Sequence, residues 1–182
     1  MTKRECLDFF GIADVLDLPG AVWRLLRLPE RDRDVRYCEL IRLAGYDMSY
    51  DWFREVYESD LAERKGKKQD FTPREVTDLV SMIAGTEGCV HEPTAGTGGL
   101  LISWWWQGCR NTLPWEHRPS SHRILCWEIS ERCIPILLLN LSIRGMVGKV
   151  VHGDVLEREA RAEYLLTNPE DDTLSFSKIT GI

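Results

Sequence analysis

The sequence lacks the segments and ligand sets that membrane proteins and zinc proteins need. Its longest uncharged apolar run that could form a helix spans Cys133 to Ile143, well short of the roughly 20 residues that cross a bilayer. The six cysteines include no Cys-x-x-Cys pair, and none lies near a histidine at zinc-finger spacing. The N-terminus has mixed charge and no apolar segment typical of a secretory signal. We therefore expect a cytoplasmic protein with free thiols, no membrane segment and no metal site.

The sequence also lacks an excess of positive charge. Lys and Arg number 23 against 29 Asp and Glu, a net charge of -6, which argues against a protein that holds nucleic acid by bulk electrostatics alone. The one dense basic run spans Arg64 to Lys68, and a solvated linker and a contact to nucleic acid explain it equally well. With 182 residues, 43% of them hydrophobic, the chain has material for one domain and a smaller appendage.

The hydrophobic pattern changes near residue 68. Before it, apolar residues recur at helical spacing and predict short helices: Ala21 to Leu28, a helix capped by Asp32 that runs to Gly45, and a helix capped by Ser49. After it, short apolar runs alternate with helical patterns, as in a parallel α/β sheet. We therefore predict a helical N-terminal unit at 1–68 and an α/β domain at 69–182.

The α/β domain is predicted to place several strand ends at one site. The helices are predicted at Pro73 to Ile83, Leu100 to Gln107 and Ser130 to Arg144. The predicted strands are Gly88 to Glu92, Ile124 to Glu128, Val147 to His152 and Tyr164 to Asn168. Each strand ends on or near a polar or acidic residue, and in open parallel sheets ligands bind outside the carboxyl ends of the strands. We expect all four strand ends to point at one site.

A glycine-rich turn follows the first predicted strand. It reads Glu92-Pro93-Thr94-Ala95-Gly96-Thr97-Gly98-Gly99 and leads into a predicted helix. Glycine lets the backbone turn tightly and approach a ligand closely, and the helix N-terminus offers free N–H groups. No Gly-Lys-Ser/Thr follows, so this is not a Walker loop. A plain tight turn is the alternative interpretation.

Two further strand ends carry carboxylates. Glu128 is placed to accept hydrogen bonds from the ribose hydroxyls of a nucleoside-containing cofactor. Asp154, after His152-Gly153, is placed to accept from an adenine amino group. A solvated carboxylate and a simple Gly-Asp turn are the respective alternatives.

Two motifs flank this region. Phe71-Thr72-Pro73-Arg74-Glu75 is explained as a helix start, with Thr72 as N-cap, Pro73 at the first helical position and Glu75 completing a capping box. Asn168 ends the fourth predicted strand and is followed by Pro169, where the amide is able to orient an amino group over a cofactor. Asn-Pro is also an ordinary turn signal.

In this order the motifs resemble the N6-adenine DNA methyltransferase family, in particular the methylase subunit of type I restriction-modification systems. The resemblance covers about residues 50 to 169 and includes the helix that carries Ile136 to Leu141. It implies a Rossmann-like methyltransferase fold with a partial parallel sheet, S-adenosylmethionine as cofactor and DNA as partner.

The resemblance also implies roles for individual residues. The cofactor would contact Phe71, Thr72, Pro73, Glu92, Pro93, Thr94, Ala95, Gly96, Thr97, Gly98, Glu128 and Asp154. Of these, Glu92 would hold its amino group, Glu128 its ribose and Asp154 its adenine. Asn168 and the Pro169 carbonyl would hold the amino group of a flipped adenine in line with the methyl group.

Two departures separate the chain from that family. The family signature continues from Asn-Pro with a second proline and a base-stacking aromatic residue, whereas this chain has Glu170 and Asp171. The later strands and a target recognition domain are also expected to be missing after Asn168. Two hypotheses result: a DNA adenine methyltransferase, active either alone or only with a complementing methylase or specificity subunit, or a binding or regulatory protein that keeps the cofactor pocket without the chemistry. A small-molecule or RNA methyltransferase is a third and weaker hypothesis.

Two other features are open to two interpretations each. The run Trp104-Trp105-Trp106 is expected to pack under the insertion at 107–123 or against a partner, in preference to stacking on bases. The tail from Thr173 to Ile179 alternates polar and apolar residues, so we expect it to add a strand to its own sheet or to that of a second copy in a homo-oligomer.

Overall fold

The fold is built on one sheet with its helices packed against one face. The computed structural model describes residues 1–54, 56, 72–86, 88–113 and 115–182. Within them, the helices are α1 (Lys3–Phe10), α2 (Leu18–Leu26), α3 (Glu30–Leu43), α4 (Arg74–Ala84), α5 (Gly99–Arg110) and α6 (Cys133–Ser142). The strands are β1 (Gly88–Glu92), β2 (His122–Glu128), β3 (Val147–Asp154), β4 (Glu159–Thr167) and β5 (Lys178–Thr180), in the spatial order β1-β2-β3-β4-β5.

The first three strands are parallel, as the sequence predicts. β1 pairs with β2 and β2 with β3 in the same direction, and α5 and α6 connect them. Alternate strand residues enter the core, including Ile124, Cys126 and Val150, while Arg123 on the opposite face of β2 is exposed. The carboxyl ends of β1, β2 and β3 therefore meet at one edge of the sheet.

The fourth strand runs the other way, and the prediction that four strand ends point at one site is wrong. β4 pairs antiparallel with β3, with Gly148 opposite Leu166 and Asp154 opposite Glu159. Only four residues separate β3 from β4, whereas a parallel crossover needs a dozen or more. β4 therefore ends at the edge where β3 begins. β5 then pairs antiparallel with β4, so the tail adds a strand to its own sheet.

The N-terminal helices share a core with the sheet domain. One cluster of buried side chains includes Leu18 and Tyr37 from the helices before residue 44 together with Leu137 from α6. The Tyr37 hydroxyl lies 2.8 Å from the Ser142 hydroxyl, and both side chains are buried. The predicted boundary near residue 68 lies outside the described residues.

Helix starts in this region differ from the predicted ones. α2 begins at Leu18, because a proline such as Pro19 is tolerated in the first turn of a helix. α3 begins at Glu30 with Pro29 in the N-cap position, so Asp32 lies inside its first turn. Ser49 does not act as an N-cap; its hydroxyl and N–H both donate to Asp47.

Candidate cofactor-binding site

A cavity of about 410 Å³ opens at the carboxyl ends of β1, β2 and β3. Its volume is within the range of about 300 to 1,000 Å³ that ligand pockets occupy. The residues that line it come from all three strand ends, the glycine turn, the starts of α4 and α5, and the segment after α3: Asp51, Arg54, Thr72, Thr77, Glu92, Pro93, Thr94, Ala95, Gly96, Thr97, Gly99, Leu100, Glu128, Ile129, Gly153, Asp154, Val155 and Leu156. Nine of the twelve predicted cofactor residues therefore lie together.

Glycine is required in the turn for two physical reasons. Gly96 has φ +56° and Gly98 has φ +99°, in the left-handed region that side chains rarely adopt. A Cβ on Gly98 would also lie 2.9 Å from Leu137 Cδ1 of α6. The turn is joined to β2 by the Ala95 N–H, which donates to the Trp127 carbonyl at 2.9 Å. Gly98 does not line the cavity; it is the N-cap of α5 and allows the close packing of α6.

Glu128 joins the end of β2 to the glycine turn. Its Oε2 accepts from the Gly96 N–H at 2.6 Å and its Oε1 from the Ser130 N–H at 2.7 Å. The side chain is buried. Because a carboxylate has about four acceptor positions, Glu128 is able to accept from ligand hydroxyls while it keeps both backbone contacts.

Glu92 and Asp154 lie half-buried on either side of Glu128. Within the described part of the chain, the hydrogen bonds to Glu92 are long, from Thr94 N at 3.4 Å and Thr94 Oγ1 at 3.5 Å. Asp154 Oδ1 accepts from the N–H groups of Leu156 and Glu157 at 2.9 and 3.2 Å, so it also forms the turn between β3 and β4. Glu92 and Asp154 thus place negative charge at the strand ends next to the cavity.

The start of α4 differs from the predicted capping box. α4 begins at Arg74, Pro73 occupies the N-cap position, and no side chain caps the helix. Thr72 is therefore not the N-cap but lines the cavity, whereas Pro73 lines an adjacent groove. Phe71 lies outside the described residues.

Asn168 and Pro169 lie at the opposite end of the strands from the cavity. Asn168 is buried and its Nδ2 donates to the carbonyls of Gly145 at 3.2 Å, Asp172 at 2.8 Å and Ser175 at 3.1 Å. Gly145 precedes β3, whose far end carries Asp154. At about 3.3 Å per strand residue, the eight residues of β3 separate Asn168 from the cavity by roughly 20 Å or more.

The residues after Asn168 have a structural explanation. Asp171 has φ +48°, and Asp tolerates this conformation better than most residues. Its carboxylate accepts from the Ser120 N–H and the Ser120 hydroxyl, both at 2.8 Å, and its carbonyl accepts from Arg118 at 3.2 Å. Asp171 therefore fastens this loop to the insertion that precedes β2.

The tryptophan run packs under the same insertion. Trp104 lies against His122, with ring centroids 5.9 Å apart, and Trp105 lies edge-on to His117 at 6.4 Å. Both tryptophans are buried, whereas Trp106 is half-buried. The interpretation that the run packs under the insertion is confirmed.

Sequence reasoning missed a buried polar cluster beside the glycine turn. It comprises Asp51, Asn140 and Arg144, none of which is more than 5% exposed. Asn140 lies within an almost wholly apolar helix, and a polar residue in such a run is the signal that would have identified it.

Neither a membrane-spanning helix nor a cluster of metal ligands occurs among the described residues. No helix among them is both long and apolar enough to cross a membrane. The described part of the chain also contains no group of three or more His, Cys, Asp or Glu side chains that would hold a metal ion.

The comparison with known proteins gives a family match. No curated protein matches the chain. The family model for N-6 DNA methylase matches residues 48–175, which is well over half of the chain and includes the cavity, the polar cluster and the Asn168 loop. The chain belongs to the N-6 DNA methylase family.

Proposed function

We propose that this chain binds S-adenosylmethionine in the strand-end cavity and does not by itself methylate adenine in DNA. One observation carries the proposal: Glu92, Glu128 and the glycine turn line the cavity, whereas Asn168 is buried in a turn at the opposite edge of the sheet. We therefore favour the hypothesis of a binding or regulatory protein derived from the family. We also propose that the chain derives from the type I methylase subunits that its motifs resemble.

The residues of the cavity fit the cofactor. Glu128 would accept from its ribose, Asp154 would lie beside its adenine, and the glycine turn with Thr72 would contact its methionine part. Glu92 would lie beside the ammonium group, where its negative charge is complementary. When bound, the cofactor supplies a methyl group on a positively charged sulfur.

The residues that would hold the methyl-accepting adenine are not placed at the cavity. No aromatic side chain is among the described residues that line the cavity, and stacking on an aromatic ring contributes about 1 to 3 kcal/mol per base. The Asn168 amide already donates to three carbonyls. It would have to give up these bonds and move across the sheet to orient a base.

Calorimetric titration with S-adenosylmethionine and S-adenosylhomocysteine tests the binding half. Replacing Glu128 by Ala removes charge-assisted hydrogen bonds and should weaken binding roughly tenfold to a hundredfold. The control is Glu157→Ala, which removes an exposed carboxylate on the loop after Asp154 and should leave the affinity unchanged. If the wild-type chain binds neither ligand, the proposal is wrong.

A tritiated-methyl transfer assay on adenine-containing DNA tests the claim that the chain does not by itself methylate adenine. We expect incorporation at background for the wild-type chain, because the residues that would hold the base are not at the cavity. Incorporation well above background that Asn168→Ala abolishes would refute this claim and favour an active enzyme. Incorporation only after a methylase or specificity subunit is added would instead support the first of the two sequence hypotheses.

A further inference from the structure

The segment from Asp47 to Phe53 reaches the glycine turn through one buried carboxylate. Asp51 Oδ1 accepts from the Phe53 N–H at 2.9 Å, so the carboxylate orders its own segment. Its Oδ2 accepts from the Thr97 hydroxyl in the glycine turn. Asp51 and Thr97 are 5% and 1% exposed.

Asn140 of α6 hydrogen bonds to both Asp51 and Thr97. Its Nδ2 donates to Asp51 Oδ1 and to the Thr97 carbonyl, both at 2.8 Å. The hydroxyl and the carbonyl of Thr97 are therefore both held, the first by Asp51 and the second by Asn140.

Arg144 fixes the segment. Its guanidinium donates to the carbonyls of Met48 at 3.0 Å and Tyr50 at 2.7 Å, and to Asn140 Oδ1 at 3.2 Å. It also lies 4.7 Å from the centre of the Trp52 ring. Burial raises the pKa of Asp51, and the hydrogen bonds from Thr97, Phe53 and Asn140, together with the positive charge of Arg144, oppose that rise.

We propose that Asp51 is a positioning residue for the cofactor, and that it acts through Thr97. Asp51 lines the same cavity as the glycine turn, but it already accepts three hydrogen bonds, from Thr97, Phe53 and Asn140, and these take up most of the about four acceptor positions of a carboxylate. Its contribution is to hold the turn in the shape that presents its backbone to the ligand, because preorganised groups do not pay an ordering cost on binding. This inference rests on the proposed function.

Thr97→Val tests the connection, because it removes one hydroxyl and keeps the shape of the side chain. The matched control is Tyr37→Phe, which also removes one buried hydroxyl contact to an element of the core, Ser142 of α6. We expect both variants to be slightly less stable. Only Thr97→Val should speed amide hydrogen exchange at Gly96 and Gly98, and Thr97→Ser should restore the wild-type rate.

Asp51→Asn then distinguishes positioning from direct attraction. S-adenosylmethionine carries a positive charge on sulfur and S-adenosylhomocysteine does not. A positioning role predicts that Asp51→Asn and Thr97→Val weaken both ligands by about the same factor, roughly tenfold for one lost buried hydrogen bond. A loss confined to S-adenosylmethionine, or an equal loss in Tyr37→Phe, would overturn the inference.

The two proposals fail in different ways. If the wild-type chain binds neither ligand, the proposed function is wrong, whereas hydrogen exchange at Gly96 and Gly98 still measures whether Thr97 holds the turn. If the wild-type chain binds and neither exchange nor affinity changes in Thr97→Val, the proposed function stands and the positioning role of Asp51 is wrong.

Discussion

At the scale of single residues, His117 is a buried imidazole. Neither of its ring nitrogens has a hydrogen-bond partner among the residues that the structure describes, and the ring stacks on His122 with centroids 4.4 Å apart. Burial lowers the pKa of His117 to about 4, and the neighbouring His122 adds to this effect. His117 is therefore neutral at pH 7.

This pKa predicts a pH dependence of stability. Because the folded pKa lies below the unfolded value of about 6.5, stability is fully present above pH 6.5 and is lost as the pH falls towards 4. We expect His117→Phe to lose less stability than wild type over this window in urea titrations at several pH values. His91→Gln, at an exposed strand position, is the control and should follow wild type. Identical pH profiles for wild type and His117→Phe would contradict the prediction.

Asn168 is the second residue whose burial gives a prediction. Asn168→Ala removes an amide that serves three carbonyls, and each unpaired buried group costs about 1 to 3 kcal/mol. We expect a clear drop in the urea midpoint and an unchanged affinity for S-adenosylmethionine. Ser177→Ala, which removes one buried hydrogen bond to Met146 in the same region, should cost less. Weaker cofactor binding in Asn168→Ala would contradict the placement of Asn168 away from the cavity.

At the scale of elements, the sequence predicted what local patterning determines. β1 begins and ends as predicted, and α4, α5 and α6 lie within three residues of their predicted bounds. The glycine turn was recognised because positive φ angles at Gly96 and Gly98 leave a compositional signature. These features depend on residues close together in the chain.

The direction of β4 was not predicted, because it depends on how the chain uses Glu159 to Glu163. These residues are charged at every second position and exposed on one face of the strand, so the segment lacks the apolar run by which strands were identified. If the segment were part of a connection, that connection would be long enough to allow a crossover to a parallel strand. In the structure it is part of β4 and forms a hairpin with β3. The polar cluster was missed for another reason, since Asp51 is 89 residues before Asn140 in the sequence.

The loop after β4 supports a prediction at this scale. Restoring the family signature with Glu170→Pro and Asp171→Phe should not produce methyl transfer, because the loop lies at the wrong edge of the sheet. It should also lower stability, because a bulky residue is strained at φ +48° and the contacts to Ser120 are lost. Asp171→Asn, which tolerates this backbone conformation, is the control and should be less affected. Methyl incorporation by the double variant in the tritium assay would contradict this.

At the scale of the whole molecule, α4 has an exposed apolar face. α4 buries Thr77 and Ser81, while Val76, Leu79, Val80 and Ile83 are each at least 40% exposed. These four residues follow the spacing i, i+3, i+4, i+7 and form one stripe on the helix. β1 pairs with β2 on one side, and no described strand pairs with its other side. Apolar patches of this kind mark interaction surfaces.

We therefore predict that the chain self-associates through this stripe. β5 pairs along the edge of β4, whereas the apolar stripe on α4 is exposed. Replacing Leu79 and Ile83 by Lys should shift light-scattering masses towards the monomer, because charge on both partners opposes burial of the stripe. Leu174→Lys, at a position 78% exposed elsewhere on the surface, is the control and should leave the association unchanged. A wild-type chain that stays strictly monomeric at high concentration would show that the stripe does not pair with a second copy.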